Sequence, residues 1–503
     1  MAKKRLSKKH KNNKVKNNIK NKVNSQWSSP KPQIQLNELN SNHVSLCALA
    51  PVIGDKKVFE PIHTNVKIPQ KKLFYSPTDK LVFLTLGIMS GMQTVYDINY
   101  TLRVDKALLK AFGYEKCADQ SVIQETLNAV TDENIQQMES ALDEIWKHNN
   151  LSSSLLEKAQ KEIRTITVDI DLSGQIASKN AEQSKKGYFS GEKNAYGRQL
   201  ARVLVCDTQE IVTESLYSGN TVSWDNGVFK SMIAKMEQKL CLHIKAQRSL
   251  IRLRLDGGFG TDKNINYALW RSYHLLVKMR CSKRARKLSK SVVQWVDIPR
   301  DSENNPRQAG WVTNPHRYGK KTRQIAIKKE TKKGYTYSVL VTTDIDSDIL
   351  SVVSDYDARG GVPESNFCQD SQGLSNTKRR KRSFLAQQML MLLNQLAHNM
   401  IRWIQHWLIS AVTQMSEESS EPQELQEPQA DACEKTVVVK TIKERGMKRF
   451  IHQLLCITGK VVLKGQRVCS IAFNPSYPLI NRIIIAFKTL LKPYEIMVSL
   501  DET

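Results

Sequence analysis

The feature that most constrains this chain is a run of short strand-like segments, interleaved with helical ones, between Arg164 and Thr343. ITVDIDLS (166–173), QLARVLVCD (199–207), IVTESLYSG (211–219), LIRLRLD (250–256), YHLLVKMR (273–280) and YTYSVLVTT (335–343) are rich in β-branched and apolar residues, and several end in Gly, Asp or Ser. Between them, VFKSMIAKMEQKL (228–240) and INYALWRSYH (265–274) carry helical spacing. Strands alternating with helices predict an α/β core with a mixed sheet. A chain of 503 residues exceeds one ordinary core, so other domains must flank this one.

The flanks differ in pattern. Residues 1 to about 30 (KKRLSKKHKNNKVKNNIKNK and its surroundings) lack periodicity and read as a solvated, disordered basic tail, and 31–75 as a Pro-bearing connector. From 76 to 160 the pattern is helical: Leu81, Leu84, Ile88, Met92 and Val95 recur at three- and four-residue steps, and Asp119 and Thr131 stand where caps belong. Two readings stay open for 119–149, a helix-turn-helix that grips DNA or a bundle packed on the core. The core then occupies 161–281 and 335–415, interrupted at 282–334 by a basic, β-rich insertion carrying Trp295 and Trp311. An acidic linker (416–435) and a small β/α appendage (436–503) follow. The longest apolar stretch, Gln387 to Val412, is broken by Asn394, Gln395, His398, Asn399, Arg402, Gln405 and His406, which predicts a long buried helix rather than a membrane span.

The formal charge is +27, an excess that implies a polyanionic partner, because Lys and Arg displace counterions condensed on phosphates. Nine scattered cysteines without paired spacing argue against a zinc knuckle or a disulfide framework and fit a reducing cytosol. No apolar h-region follows the basic N-terminus, so no signal peptide is expected.

Phosphoryl transfer on DNA requires an activated nucleophilic oxygen and a stabilised leaving oxygen, tasks that two divalent ions held by carboxylates perform together. Three carboxylates qualify. In TVDIDLSG, Asp169 and Asp171 share one strand face, and Asp171, nearer the strand end, is the stronger candidate. In LIRLRLDGGFG, Asp256 ends a strand, with Gly257, Gly258 and Gly260 free to turn sharply around it. In YDARGGVPESNF, Pro363 suits a first helical position and sets Glu364 in the first turn. Tyr356 and Arg359 precede it as phosphate contacts.

Together these three stretches resemble the DDE transposases of bacterial insertion sequences, in the branch whose third motif reads Tyr-x2-Arg, then Glu, then Lys. DIDLSG matches the first motif at Asp171, RLDGGFG the second at Asp256, and YDARGGVPES the third at Tyr356, Arg359 and Glu364. The resemblance spans about residues 80 to 410. It implies an RNase-H-like core, two Mg²⁺ or Mn²⁺ ions on Asp171, Asp256 and Glu364, and cleavage and joining of double-stranded DNA at terminal inverted repeats and target. It also implies a homodimer synapsing two ends, in a bacterial cytoplasm at the nucleoid. An insertion between the second Asp and the Glu is expected too, and 108 positions separate Asp256 from Glu364. Two features depart from the family: the Arg-to-Glu gap is one residue longer, and Ser371 stands where Lys is expected. Lys378, one heptad further on, would take over its phosphate contact if the helix passes Gly373.

Basic clusters at Lys283–Lys290 and 378–382, with Lys186, Lys193 and Arg198, add expected DNA-backbone contacts. Trp295 and Trp311 are read as core residues first, although in related enzymes an aromatic residue stacks on a flipped base. Two alternatives to a transposase stay open: a nuclease on the same core, and a non-catalytic DNA-binding descendant.

Overall fold

The computed structural model describes residues 36–70, 74–189, 192, 194–361, 363–418 and 428–501, with the side chains of 360–366 and 415–434 excepted. Its strands are β1 (Leu36–Ser41), β2 (Ile166–Ile176), β3 (Lys185–Lys186), β4 (Tyr196–Val205), β5 (Ile211–Ser218), β6 (Ile251–Leu255), β7 (His274–Lys278), β8 (Val296–Ile298), β9 (Arg307–Trp311), β10 (Arg323–Thr331), β11 (Gly334–Thr342), β12 (Gly459–Lys464), β13 (Arg467–Phe473) and β14 (Met497–Leu500). The expected α/β core is present. Its strands run β5-β4-β2-β6-β7, with β4 antiparallel to β2 and to β5, and β6 and β7 parallel to β2. Helices Asn226–Lys239 and Asp262–Trp270 make the two crossovers into β6 and β7. That order and sense is the RNase-H-like arrangement.

The insertion differs from its expectation as a separate domain. β11 pairs antiparallel with β7, and β10, β9 and β8 follow, so 296–342 prolongs the core sheet to ten strands. Its tryptophans pack as expected: Trp311 lies against a small apolar cluster beneath the Arg323 guanidinium, 3.4 Å from the ring centroid, and Trp295 against the main core.

The flanks hold three further corrections. Residues 36–75 are more than a connector: β1 pairs antiparallel with β12 in a second sheet, β1-β12-β13-β14, and helix Val44–Asp55 buries Val44, Leu46, Leu49 and Val52. The appendage is thus completed by the start of the described chain. The tail before it, and Lys193, lie outside the described residues. The helix-turn-helix reading also gives way. Caps at Asp119 and Thr131 open helices Gln120–Asn128 and Asp132–Asn149 as expected. The second helix, however, carries Asp132, Glu133, Glu139, Asp143 and Glu144 against Lys147, the wrong sign for a phosphate-facing helix. Its Glu139 and Asp143 pair instead with Lys235 and Lys239 of the core, at 2.8 and 2.9 Å. The acidic linker is shorter than expected, because helix Pro428–Lys443 already occupies its second half.

The polar groups along the long helix Phe384–Glu418 have a structural purpose. Strand β5 lies at the sheet edge, and Asn399 accepts from the Ile211 amide and donates to the Ile211 carbonyl, both at 2.9 Å. Trp403 donates to Glu210 at 2.7 Å. A buried side-chain amide thereby does for the edge what a neighbouring strand would. Among the described residues, no helix is long and apolar enough to cross a membrane.

Candidate active site

β2 and β6 run in parallel register from Ile166↔Ile251 to Ile170↔Leu255. Alternation sends Thr167, Asp169 and Asp171 to one face, and the same register sends Arg252, Arg254 and Asp256 to that face too. The two strands therefore present three rungs. On the first, Arg252 donates to Thr167 Oγ1 at 2.8 Å and to Asp355 Oδ2 at 2.7 Å. On the second, Arg254 clasps Asp169 through two bonds of 2.8 Å and donates to the Asp355 carbonyl at 2.7 Å. On the third stand two carboxylates side by side, Asp171 and, one step past the end of β6, Asp256.

The pair Asp169 and Asp171 is resolved by this ladder. The cation that the like charges demanded is Arg254, and it serves Asp169, which is 1% exposed. Asp171 stays partly exposed, beside Arg359 of the cleft wall. The Asp256 carboxylate accepts from the Phe259 amide at 3.2 Å, which closes the glycine-rich turn around it.

Across this face lies helix Ile349–Gly361, whose Asp355 is fixed by both arginines. Tyr356 and Arg359 follow on it. Arg359 differs from its expectation as an open phosphate clamp: it is buried, with Nη2 3.0 Å from Asp171 Oδ1. Burial works against its charge, but Asp171 and Asp256 outweigh that and hold the guanidinium firmly protonated. Burial, with Asp256, Asp357 and Asp171 nearby, pushes the Tyr356 phenol up, so it remains a neutral hydroxyl. Beside these groups opens a cleft of about 760 Å³ lined by Asp256, Lys278, Arg300, Arg307, Tyr356 and Arg359.

Glu364 lies on helix Pro363–Gly373, and its side chain, like Val362, lies outside the described residues. The rest of that helix is anchored by residues that sequence reasoning missed. Arg202 of β4, the register partner of Asp171, lies 2.6 Å from both Glu214 and Asp370, and its guanidinium stacks 4.2 Å from the Phe367 ring centroid. His398 binds the other Asp370 oxygen at 2.8 Å and the Gln209 carbonyl at 2.8 Å. Phe367 and Asp370 sit one and two turns after position 364, so this buried cluster clamps the Glu364 helix alongside β2. The signal was an arginine inside an otherwise apolar strand, QLARVLV, because a fully buried charge requires a partner.

Two further expectations change. Arg198, expected on DNA, is 1% exposed and gives its guanidinium to the carbonyls of Glu182, Lys381 and Arg382 at 2.8–3.1 Å. Those three acceptors tie two loops to β4 and leave it no path to a phosphate. Lys378 is exposed, donating to Gln93 at 2.6 Å, but it does not continue the face of Glu364. The helix ends at Gly373, where a Cβ would meet the Lys448 amide nitrogen at 2.7 Å. Ser371 turns to Thr377, with 3.1 Å between the hydroxyls.

Among the described residues, no three His, Cys, Asp or Glu side chains gather as a metal site. Asp171, in the middle of β2, and Asp256, just past the end of β6 in the cleft wall, nevertheless offer hard oxygen donors on neighbouring strands, which suits a divalent cation.

The family model for the transposase DDE domain, group 1, matches residues 60–425. No curated protein matches. Among solved structures, a cryo-EM structure of a piggyBac transposase synaptic complex with hairpin DNA is similar, at 13% identity and a TM-score of 0.41, over 83% of this chain and 86% of that one.

Proposed function

The chain belongs to the transposase DDE domain group 1 family, and on that premise we propose that Asp171, Asp256 and Glu364 are the carboxylates with which it cuts and joins DNA. It is a DNA transposase, an enzyme of phosphoryl transfer, and DNA is its partner. The observation that carries the residue assignment is the third rung: the one pair of in-register side chains on β2 and β6 that joins two acids, where the rung below joins an acid to an arginine.

Asp171, Asp256 and Glu364 would hold the divalent ions, two Mg²⁺ or Mn²⁺. Such ions, when bound, supply Lewis-acid activation of the attacking oxygen and stabilisation of the leaving one. The chain's own groups prepare the site around them. Arg359 offsets the paired negative charge of the two carboxylates. The neutral Tyr356 hydroxyl is a donor for a phosphate oxygen at the cleft wall. The Arg202–Asp370–His398 cluster fixes the helix that bears Glu364, so the third carboxylate is positioned by packing at its own helix. Lys378 is a candidate for backbone contact outside the cleft. A homodimer synapsing two terminal inverted repeats, in a bacterial cytoplasm, completes the reading.

The test is cleavage and strand transfer in vitro on duplexes carrying the DNA that flanks the gene, comparing the wild type with Asp256→Asn. Loss of both activities in the variant is expected, and equal activity would sink the assignment. Cleavage without joining would indicate a nuclease, and DNA binding without either activity a non-catalytic descendant.

A further inference from the structure

The row of side chains that contains the two carboxylates extends further across the sheet. β7 runs parallel to β6 in register up to Leu255↔Val277, so the next step sets Lys278 beside Asp256. β4 is antiparallel to β2 with Arg202 opposite Asp171. Four neighbouring strands thus present Arg202, Asp171, Asp256 and Lys278 at one level and on one face. Cation, acid, acid, cation: the two ends are not equivalent. Arg202 is buried and consumed by Glu214 and Asp370. Lys278 is exposed, lines the cleft, and has no ion-pair partner among the described residues.

Its neighbours in the cleft are already committed. Arg307 forms a two-pronged pair with Asp357, at 2.6 and 3.2 Å, and also donates to the Pro299 carbonyl. Arg300 donates to the Asn304 carbonyl at 2.9 Å. Arg359 lies on Asp171. The glycine turn after Asp256 is moulded to Lys278: a Cβ on Gly257 would touch its Cγ and Cδ at 3.7 Å, and one on Gly260 would strike its carbonyl oxygen at 1.9 Å. The lysine stem therefore runs against the residue that follows Asp256, and the side chain lines the cleft that Asp256 also lines.

We propose that Lys278 is the cation that receives the scissile phosphodiester beside Asp256, neutralising a non-bridging oxygen as negative charge builds on it. This rests on the carboxylate reading above. Lysine suits the role as a mobile point charge that pairs with phosphate as it arrives. The position also accounts for Gly260 of the RLDGGFG segment, which is required by the close passage of the turn over Lys278.

The experiment uses the full chain, Mg²⁺, and the same flanking-DNA duplexes, with Lys278→Met, Lys278→Arg and Asp256→Asn compared with wild type. Lys278→Met should cut about 100-fold more slowly, the order expected for one lost electrostatic contact to the reacting oxygens. In Ca²⁺, its binding should lose salt dependence by a slope of about 0.9, one phosphate contact fewer. Lys278→Arg should restore the slope and most of the rate, while melting temperatures stay together because the side chain is exposed. Cleavage by Lys278→Met within threefold of wild type, or an unchanged slope, overturns the proposal while Asp256→Asn remains inactive. Full cleavage by Asp256→Asn would instead overturn the carboxylate reading beneath it.

Discussion

Replacing Arg254 by Met tests the ladder that separates a structural aspartate from a reactive one. Arg254 and Asp169 have side chains 4% and 1% exposed and meet through two bonds of 2.8 Å. Burial opposes the Arg254 charge, but its bonds to Asp169 outweigh that and hold the guanidinium above its ordinary range. Met keeps the stem volume and removes the charge, which leaves Asp169 buried without its countercharge. Breaking one side of such a pair costs about 3–5 kcal/mol. At roughly 1 °C per kcal/mol for a chain of this length, melting should fall by roughly 3–5 °C. The second substitution decides the cause. Adding Asp169→Leu removes the orphaned charge, so the double variant should recover more than half of the loss, a coupling readable from the four-member cycle. Because neither residue touches the reacting atoms, the double variant should also retain cleavage within about tenfold of wild type, whereas Asp171→Asn, with its fold intact, should abolish it. A melting temperature for Arg254→Met within one degree of wild type, or a double variant no more stable than the single, would refute the ladder as the reason Asp169 is buried.

Three other outcomes follow from the same geometry. Burial pushes the Asp370 carboxyl up, but His398 and Arg202 overcome this and hold it at about 2, below its unfolded value. Its stabilisation is present above about pH 4 and lost as pH falls through about 2, so the gap in unfolding free energy between wild type and Asp370→Asn should narrow over that window; a pH-independent gap would count against the cluster. His43 is pulled down by burial, yet Asp105, bonded at 2.9 Å, and Cys456 raise it to about 9. Its contribution is full below about pH 6.5 and lost as pH rises through about 9, so melts from pH 6 to 10 should converge with those of His43→Gln at the alkaline end. Finally, Gly260→Ala forces a Cβ to 1.9 Å from the Lys278 carbonyl and should lower cleavage at least tenfold, while Gly257→Ala, at 3.7 Å from the lysine stem, should be nearly neutral; equal effects would refute the close passage of the turn.

Much of the core was legible because its signals are local. Alternation and β-branching mark β2, β4, β5, β6 and β7 within a few residues, and the polar oxygens of Asp119 and Thr131 mark two helix starts. Glu364 was placed on a helix by its local sequence, and it lies on one. What escaped was pairing between distant segments. Nothing near Leu36 announces a partner at Lys464, so β1 reads as connector until β12 is beside it. The insertion looked separate because its composition is basic, yet composition does not record that β10, β9 and β8 can continue from β11, itself expected in the core. Arg198 looked like a DNA contact for the same reason: its three carbonyl acceptors come from Glu182, Lys381 and Arg382, the last two more than 180 positions away.

The contrast between Asp169 and Asp171 carries this furthest. Both lie on one face of one strand, two residues apart, and nothing in TVDIDLSG assigns them different chemistry. The difference is on β6, where Arg254 meets the first and Asp256 the second, and it depends on a register 85 positions long that a one-residue slip would turn inside out. With the register shifted by two, Asp171 would meet Arg254 and be neutralised, Asp169 would meet Arg252, and Asp256 would face Ser173 instead of an acid. The sheet register therefore does the electrostatic selection: one acid is given a buried countercharge, and the other is paired with a second acid at the rim of the cleft. Two adjacent carboxylates repel, and Arg359 already lies on Asp171 as one positive charge beside them. A divalent cation would meet the same demand more strongly, which is the physical reason that this rung, rather than any other pair of acids on the sheet, is the place to look for one.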